Sequence, residues 1–377
     1  MWATSVYWRL YILGVNERKK IYEKIEEHRG NPLIAYATSG RQGAQGLISS
    51  DGVRRFADLL FKLPKGTKSV DILVNSLGGD GLASWRLITM LREFLGEEGY
   101  ITCLVPYYAF SAGTLIAVGS NEIFMHPLAS LGPVDPQIVV RSQEGSATQF
   151  AYEDLAAYTS FLKEEGGLTE QSEKSNLLES LVGEIKPSVI GASKRSSMQS
   201  IIMAEKLMKL HMIGVDTQKA EIIAEKLSKS YFSHGHALSR QEVSELGLKV
   251  SELDVELEEM IWQVFTDFED EMKMQELFDP TMEYLSSLGS SALLNPPPVI
   301  NVPANAPPQV AQQMWQQVAN QLTVSQGPVL DCELFFAAIE SKNGTSRYIR
   351  NVKIFGTRQA DLNFLIGIPR VSEKWVA

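Results

Sequence analysis

Short aliphatic runs alternate along the first third of the chain with segments whose apolar residues recur every three to four positions. Residues 33–37, 70–75, 101–105 and 122–125 have the length and composition of strands covered on both faces. Between the first two, Val53, Phe56, Leu59 and Leu60 form the stripe of a helix over 52–61 that Asp51 can cap, and a second helix is predicted over 82–95. Upstream, Asn16 can cap a charged helix over 17–29, with Ile21 and Ile25 on one face and Gly30 stopping it. Strand and helix in strict alternation predict right-handed crossovers around a mostly parallel sheet, an α/β core.

Farther along, helical patterns cover 153–166 and 168–184, and residues 186–191 lead into a long helix through Ile201, Met208 and Met212. Residues 217–228 are amphipathic, and 231–250 read as a strand, a turn, a helix capped by Ser239 and a stop at Gly247. Apolar positions 257, 261, 264, 265, 268 and 272 predict a long amphipathic helix over 256–278. Six of the sixteen prolines then fall within 295–308, which reads as a semi-rigid linker. Beyond it come a Gln-rich helix over 309–322 and an alternating antiparallel unit over 331–368, turned at Lys342-Asn343-Gly344. The expected organisation is a helical extension (1–30), a main α/β domain (31–290), the linker (291–308) and a small C-terminal α+β module (309–377).

Composition changes this picture little. With 44% hydrophobic and 21% charged residues among 377, the chain can bury a large core. Its net charge of -10 argues against nucleic acid or anionic membrane as a general partner. Residues 1–15 are apolar but broken by Arg9 and too short to span a bilayer. They read as an amphipathic segment packing on this chain or a sister subunit, neither signal nor anchor, so no stable membrane insertion is expected. Two distant cysteines, Cys103 and Cys332, suggest a reducing, cytoplasmic setting without a disulfide framework. No phosphate-binding loop or dinucleotide fingerprint occurs, and no cofactor is expected. His234 and His236 are spaced like paired ligands, yet no partner pattern accompanies them, and no metal is expected.

Candidate chemistry concentrates at two strand ends. After 101–105, Pro106 leads to Ser111-Ala112-Gly113-Thr114, which opens a helix of small and aliphatic residues, and a hydroxyl there meets the helix's unpaired amides. After 70–75 comes Ser76-Leu77-Gly78-Gly79-Asp80-Gly81, where adjacent glycines let main-chain N–H groups face a ligand. In acyl-transfer enzymes one amide from such a loop and one from the residue after the nucleophile form an oxyanion hole, here Gly79 and Ala112. Asp80, beside the glycines, reads equally as a loop-holding residue, and Asp135, before Pro136, as a turn-former.

NSLGGDG, PYYAFSAGTLIA and LGPVDPQ, in that order and spacing, resemble the serine dehydrogenase proteinase family, a branch of the fold shared by the Clp proteolytic subunit, signal peptide peptidase A and the crotonases. The resemblance spans about 33–250. It implies a Clp/crotonase-like core of stacked ββα units and a serine peptidase whose nucleophile is Ser111, with Gly78, Asp80 and Asp135 in the substrate-binding loops. Where the Clp branch has its histidine this chain has Asp135, and His126 reads as structural. Other members use lysine, and Lys194, beside Arg195 at the expected start of the long helix, ranks above Lys163 as general base because a helix N-terminus disfavours an ammonium. The implied partners are a peptide or protein substrate, further copies of the chain, and a protein bound by the C-terminal module. Two other readings stay open: a catalytically silent oligomeric scaffold, supported by the absent histidine, and, behind it, a crotonase-like acyl-CoA enzyme.

Overall fold

A computed structural model describes residues 14–141, 147–166, 179, 181–182, 185–214, 216–229, 235–252, 254–287, 303, 305–321, 325–358 and 364–377. The expected N-terminal amphipathic segment, most of the 168–184 helix, His234 and nearly all of the proline-rich linker lie outside them. The chain divides into two compact units: 14–38, 46–268 and 338–345 in the first, 39–45, 269–337 and 346–377 in the second.

In the first unit, helix α1 (Gly14–Arg29) precedes strand β1 (Leu33–Thr38), helix α2 (Ser50–Leu60), β2 (Ser69–Asn75), α3 (Gly81–Leu95), β3 (Tyr100–Val105), β4 (Tyr108–Ala109), α4 (Ala112–Val118), β5 (Glu122–Met125) and β6 (Ser130–Leu131). A hairpin of β7 (Ile138–Arg141) and β8 (Ala147–Phe150) follows, then α5 (Tyr152–Glu164), α6 (Pro187–Lys209), α7 (Asp216–Lys229), α8 (Arg240–Glu245), β9 (Val250–Ser251) and α9 (Val255–Glu271). Strands β1, β2, β3, β5 and β9 lie side by side in that order, every neighbouring pair parallel. All six β1 residues are buried, which is why these strands read as unbroken apolar runs. One polar exception is paired: the fully buried Asp71 accepts Arg29 Nε at 2.8 Å and Asn31 Nδ2 at 3.0 Å.

Helix α1 is fixed by charge as well as by Ile21 and Ile25. Arg18, wholly buried, donates through Nε and Nη2 to the two Glu340 carboxylate oxygens, both at 3.0 Å, and through Nη1 to Asp267. Tyr22 donates its hydroxyl to Glu340 at 3.0 Å, and burial, then the Glu340 charge, push its pKa well above the ordinary value.

The second unit holds α10 (Pro280–Leu285), α11 (Pro308–Gln321), β10 (Ser325–Gln326), the first part of β11 (Leu330–Ser341), most of β12 (Gly344–Arg358), β13 (Phe364–Gly367) and β14 (Arg370–Val376). Here β13 and β14 pair antiparallel with β12. Its core gathers Phe278, Tyr284, Leu334, Phe336, Val352 and Ile354. The C-terminal strands thus form the expected extra module, and β11 and β12 turn through Lys342 and Asn343.

Four local expectations need correction. Helix α1 is already formed at Gly14, so Asn16 lies inside it and does not cap it. Helix α2 begins at Ser50, so Asp51 lies inside the first turn, where its carboxylate accepts the Gly52 N–H at 3.0 Å. The whole predicted stripe of α9 is buried, but the helix ends at Glu271 because Lys273 takes φ 53° and turns the chain. Helix α6 begins at Pro187, which suits a first helical position, and not near Lys194.

Candidate active site

Ser111 joins β4 to α4 with φ 48° and ψ -108°, one of two non-glycine residues with positive φ among those described. The Gly113 N–H donates to Phe110 O at 2.8 Å. Together these define a type II′-like turn with Ser111 at its first central position, where glycine is the usual occupant. A serine held there is strained, and the surroundings must enforce the geometry. Ser111 makes no side-chain cap bond to α4, contrary to the expectation that its hydroxyl would meet those amides. The hydroxyl is therefore left for other chemistry, partly exposed at the strand–helix junction.

The segment before it is anchored on both sides. Tyr107 and Tyr108 pack on Phe265 of α9, with ring centroids 4.7 and 6.4 Å away. Phe110 covers Gly132, where an added Cβ would come within 2.8 Å of the ring, so the 127–137 loop closes on the elbow. Buried Thr114 Oγ1 lies 2.8 Å from Ala109 O and 2.7 Å from Gly132 O, and buried Ser84 Oγ donates to Ala112 O at 2.7 Å. Gly113 comes so close to Ala109 and Ser76 that a Cβ would lie 3.3 Å from one and 3.5 Å from the other.

The glycine loop lies against the elbow. A Cβ on Gly78, whose φ is 120°, would sit 2.9 Å from Ser111 Cβ. Gly79, at φ 144°, forms an isolated parallel bridge with Ile48: Ile48 N–H donates to Gly78 O at 2.8 Å and Asp80 N–H to Ile48 O at 2.9 Å. In that pattern the N–H of Gly79 itself points away from Ile48. Gly79 is exposed, and Ala112, as the first residue of α4, has no intrahelical acceptor for its N–H. Two main-chain donors on adjoining segments thus flank the Ser111 turn.

The remaining candidates divide. Asp80 caps α3, accepting Leu82 N–H at 2.9 Å and the Ser50 hydroxyl at 2.9 Å, so its loop-holding role is on view. Asp135 is buried in the 127–137 loop and accepts Gln137 Nε2 at 3.1 Å. His126 stacks on Trp262 at 4.7 Å, and its Nδ1 accepts the Leu128 N–H at 3.2 Å; burial, then Arg240, lower its pKa. Lys194 and Lys163 are exposed, and among the described residues no side chain hydrogen-bonds to Ser111. Because α6 starts at Pro187, Lys194 lies about two turns inside it, beyond the first turn over which a helix dipole acts on charge. Among the described residues no group of three or more His, Cys, Asp or Glu side chains could hold a metal ion, and no helix is long and apolar enough to cross a membrane.

A mostly parallel sheet carries a strained serine at one strand–helix turn and a glycine pair at the neighbouring one, the layout of a Clp-like α/β fold. Residues 11–144 match the family described as ClpP-like SDH-type serine proteinase. An uncharacterised protein of Methanocaldococcus jannaschii is 30% identical over 245 residues, covering 63% of this chain and 72% of that protein. A second from the same organism is 41% identical over 71 residues, 19% of this chain and 24% of that protein. Among solved structures, a membrane-bound stomatin-specific protease is 16% identical with a TM-score of 0.36, covering 63% of this chain and 84% of that one. ClpP1 from Listeria monocytogenes is 14% identical with a TM-score of 0.32, covering 62% and 98%. The chain belongs to the ClpP-like, SDH-type serine proteinase family.

Proposed function

We propose that this chain is a serine endopeptidase in which Ser111 attacks the peptide carbonyl and the Gly79 and Ala112 amides hold the oxyanion. The observation that carries the reading is the strained backbone of Ser111, kept at φ 48° with its hydroxyl unused by the helix it precedes. Attack by Ser111 Oγ forms a C–O bond, passes the hydroxyl proton to a base and moves charge onto the carbonyl oxygen, where preorganised N–H donors act. The substrate lies extended along the glycine loop and pairs with the main chain of the exposed Gly79, since Gly78's own N–H and carbonyl are already taken, with the half-exposed Leu47 and Leu82 (56% and 50%) beside the loop.

Lys194 is the proposed base. Its exposure sets a condition: Lys194 serves only once bound substrate or a second copy of the chain covers it. The same exposure favours the second reading, a catalytically silent oligomeric scaffold. Intact-mass detection of fluorophosphonate labelling separates the two. One adduct on wild type and none on Ser111→Ala supports the peptidase, and loss of labelling in Lys194→Ala supports that base. Labelling of Lys194→Ala at the wild-type rate removes Lys194 from the mechanism. No adduct on any folded protein favours the scaffold.

A further inference from the structure

Between β2 and the glycine pair, one fully buried residue ties both halves of the turn pair together. The Ser76 N–H donates to Tyr108 O and its carbonyl accepts the Phe110 N–H, each at 2.9 Å, so its main chain is stitched to the segment that ends in Ser111. Its side chain turns the other way, along the loop. Ser76 Oγ accepts the Gly78 N–H at 3.1 Å and the hydroxyl of the equally buried Thr38 at 2.8 Å, and donates its own proton to Gly78 O at 3.2 Å. That carbonyl also accepts from Ile48, whose pairing leaves the Gly79 N–H facing outward.

Two consecutive glycines are the least constrained backbone a chain can offer, whereas an oxyanion donor works only if it is already aimed. The Ile48 bridge fixes the loop from outside, and the Ser76 hydroxyl fixes it from inside. Without that hydroxyl the buried Gly78 N–H loses its acceptor, and the loop has no side-chain link to the strand that registers it against Ser111.

We infer that Ser76 is a positioning residue for acyl transfer, with Thr38 orienting its hydroxyl; this rests on the reading of Ser111 as nucleophile. The Gly79 amide would meet charge that develops on the carbonyl oxygen only as Ser111 Oγ bonds to the carbonyl carbon. Disordering that amide therefore weakens the transition state and spares substrate binding.

The test uses the full chain with p-nitrophenyl acetate, whose acyl group passes to Ser111 as p-nitrophenolate leaves and water then hydrolyses the acyl-enzyme. The fluorophosphonate labelling rate is measured beside it. Ser76→Ala is expected to lower kcat by about 10–100-fold with KM within about twofold. Thr38→Val, which removes only the orienting hydroxyl, is expected to cost roughly 3–10-fold in kcat, and Thr38→Ser, which keeps it, to restore the wild-type value. Ser76→Ala with wild-type kcat overturns the inference. So does a loss carried by KM, or one that Thr38→Ser shares with Thr38→Val, since both mark a merely structural role. If wild type and Ser111→Ala react alike with both reagents, the reading of Ser111 fails, and the inference falls with it for a separately visible reason.

Discussion

Replacing Ser111 by glycine is expected to stabilise the protein while abolishing its chemistry, whereas replacing it by alanine does only the second. At φ 48° and ψ -108° a Cβ is crowded, and such a residue costs about 1–3 kcal/mol relative to one free of a side chain. Glycine removes that cost but adds about 0.5–1 kcal/mol of unfolded-chain entropy. The hydroxyl has no cap bond to lose. The balance is about 0–2.5 kcal/mol, centred near 1 kcal/mol in favour of Ser111→Gly, or roughly 2–4 °C in Tm at that centre for a unit of this size. Alanine keeps the Cβ and the strain, so Ser111→Ala should match wild type within about 0.5 kcal/mol. Urea unfolding of the three proteins, compared by midpoint at constant slope, measures this. A Ser111→Gly protein no more stable than Ser111→Ala would refute the strain and, with it, the view that the surroundings force the serine into its turn.

Further outcomes can be checked together. Gly79→Ala should unfold the loop's bridge and abolish labelling, because the new Cβ would lie 2.3 Å from Ile48 O; fluorophosphonate reaction and loss of amide protection at Asp80 report it. Arg18→Met, which leaves Glu340 buried without its cation, should destabilise by about 3–5 kcal/mol in chemical denaturation. His211, whose Nε2 lies 2.8 Å from Val118 O, is pushed down to about 4 chiefly by burial. Its folded pKa is below the unfolded value, so unfolding takes up a proton between about pH 6.5 and 4, and stability is lost as pH falls through that window. The loss should reach about 3 kcal/mol, and a His211→Gln variant should flatten that part of the unfolding profile.

How much of this was legible depends on how local each cause is. Strands covered on both faces announce themselves as apolar runs, and a glycine pair between strand and helix has few other uses, so β2, β3 and their turns could be read directly. The hydroxyl of Ser111 could not: its identity suggested a helix cap, and only the positive φ, imposed by packing on both sides, shows that it is not one. Ser76, Thr38, Ser84 and Thr114 gave no signal, since small hydroxyl residues occur everywhere and only burial makes these four clamps. The sole hint was that Ser76 directly precedes the glycine segment. The aromatic run Tyr107, Tyr108 and Phe110 found its partner on α9, far along the chain. Lys194 was misplaced on its helix because residues 186–191, read as a lead-in, already form the first turn.

The buried arginine of α1 also bears on the order in which the protein can be made. Arg18 bonds to Glu340, 322 positions farther along, and residues 338–345 belong to the same compact unit as α1. During synthesis at about 5–20 residues per second, a nascent chain waits roughly 16–64 s between the two. Until Asp267 is made, 249 positions along, the α1 guanidinium has neither of its carboxylates, and for the rest of the interval it lacks the Glu340 pair, so early docking of the helix would bury an incompletely paired charge. The first unit therefore cannot complete the pairing of its N-terminal helix until residue 340 has been made and has left the ribosome.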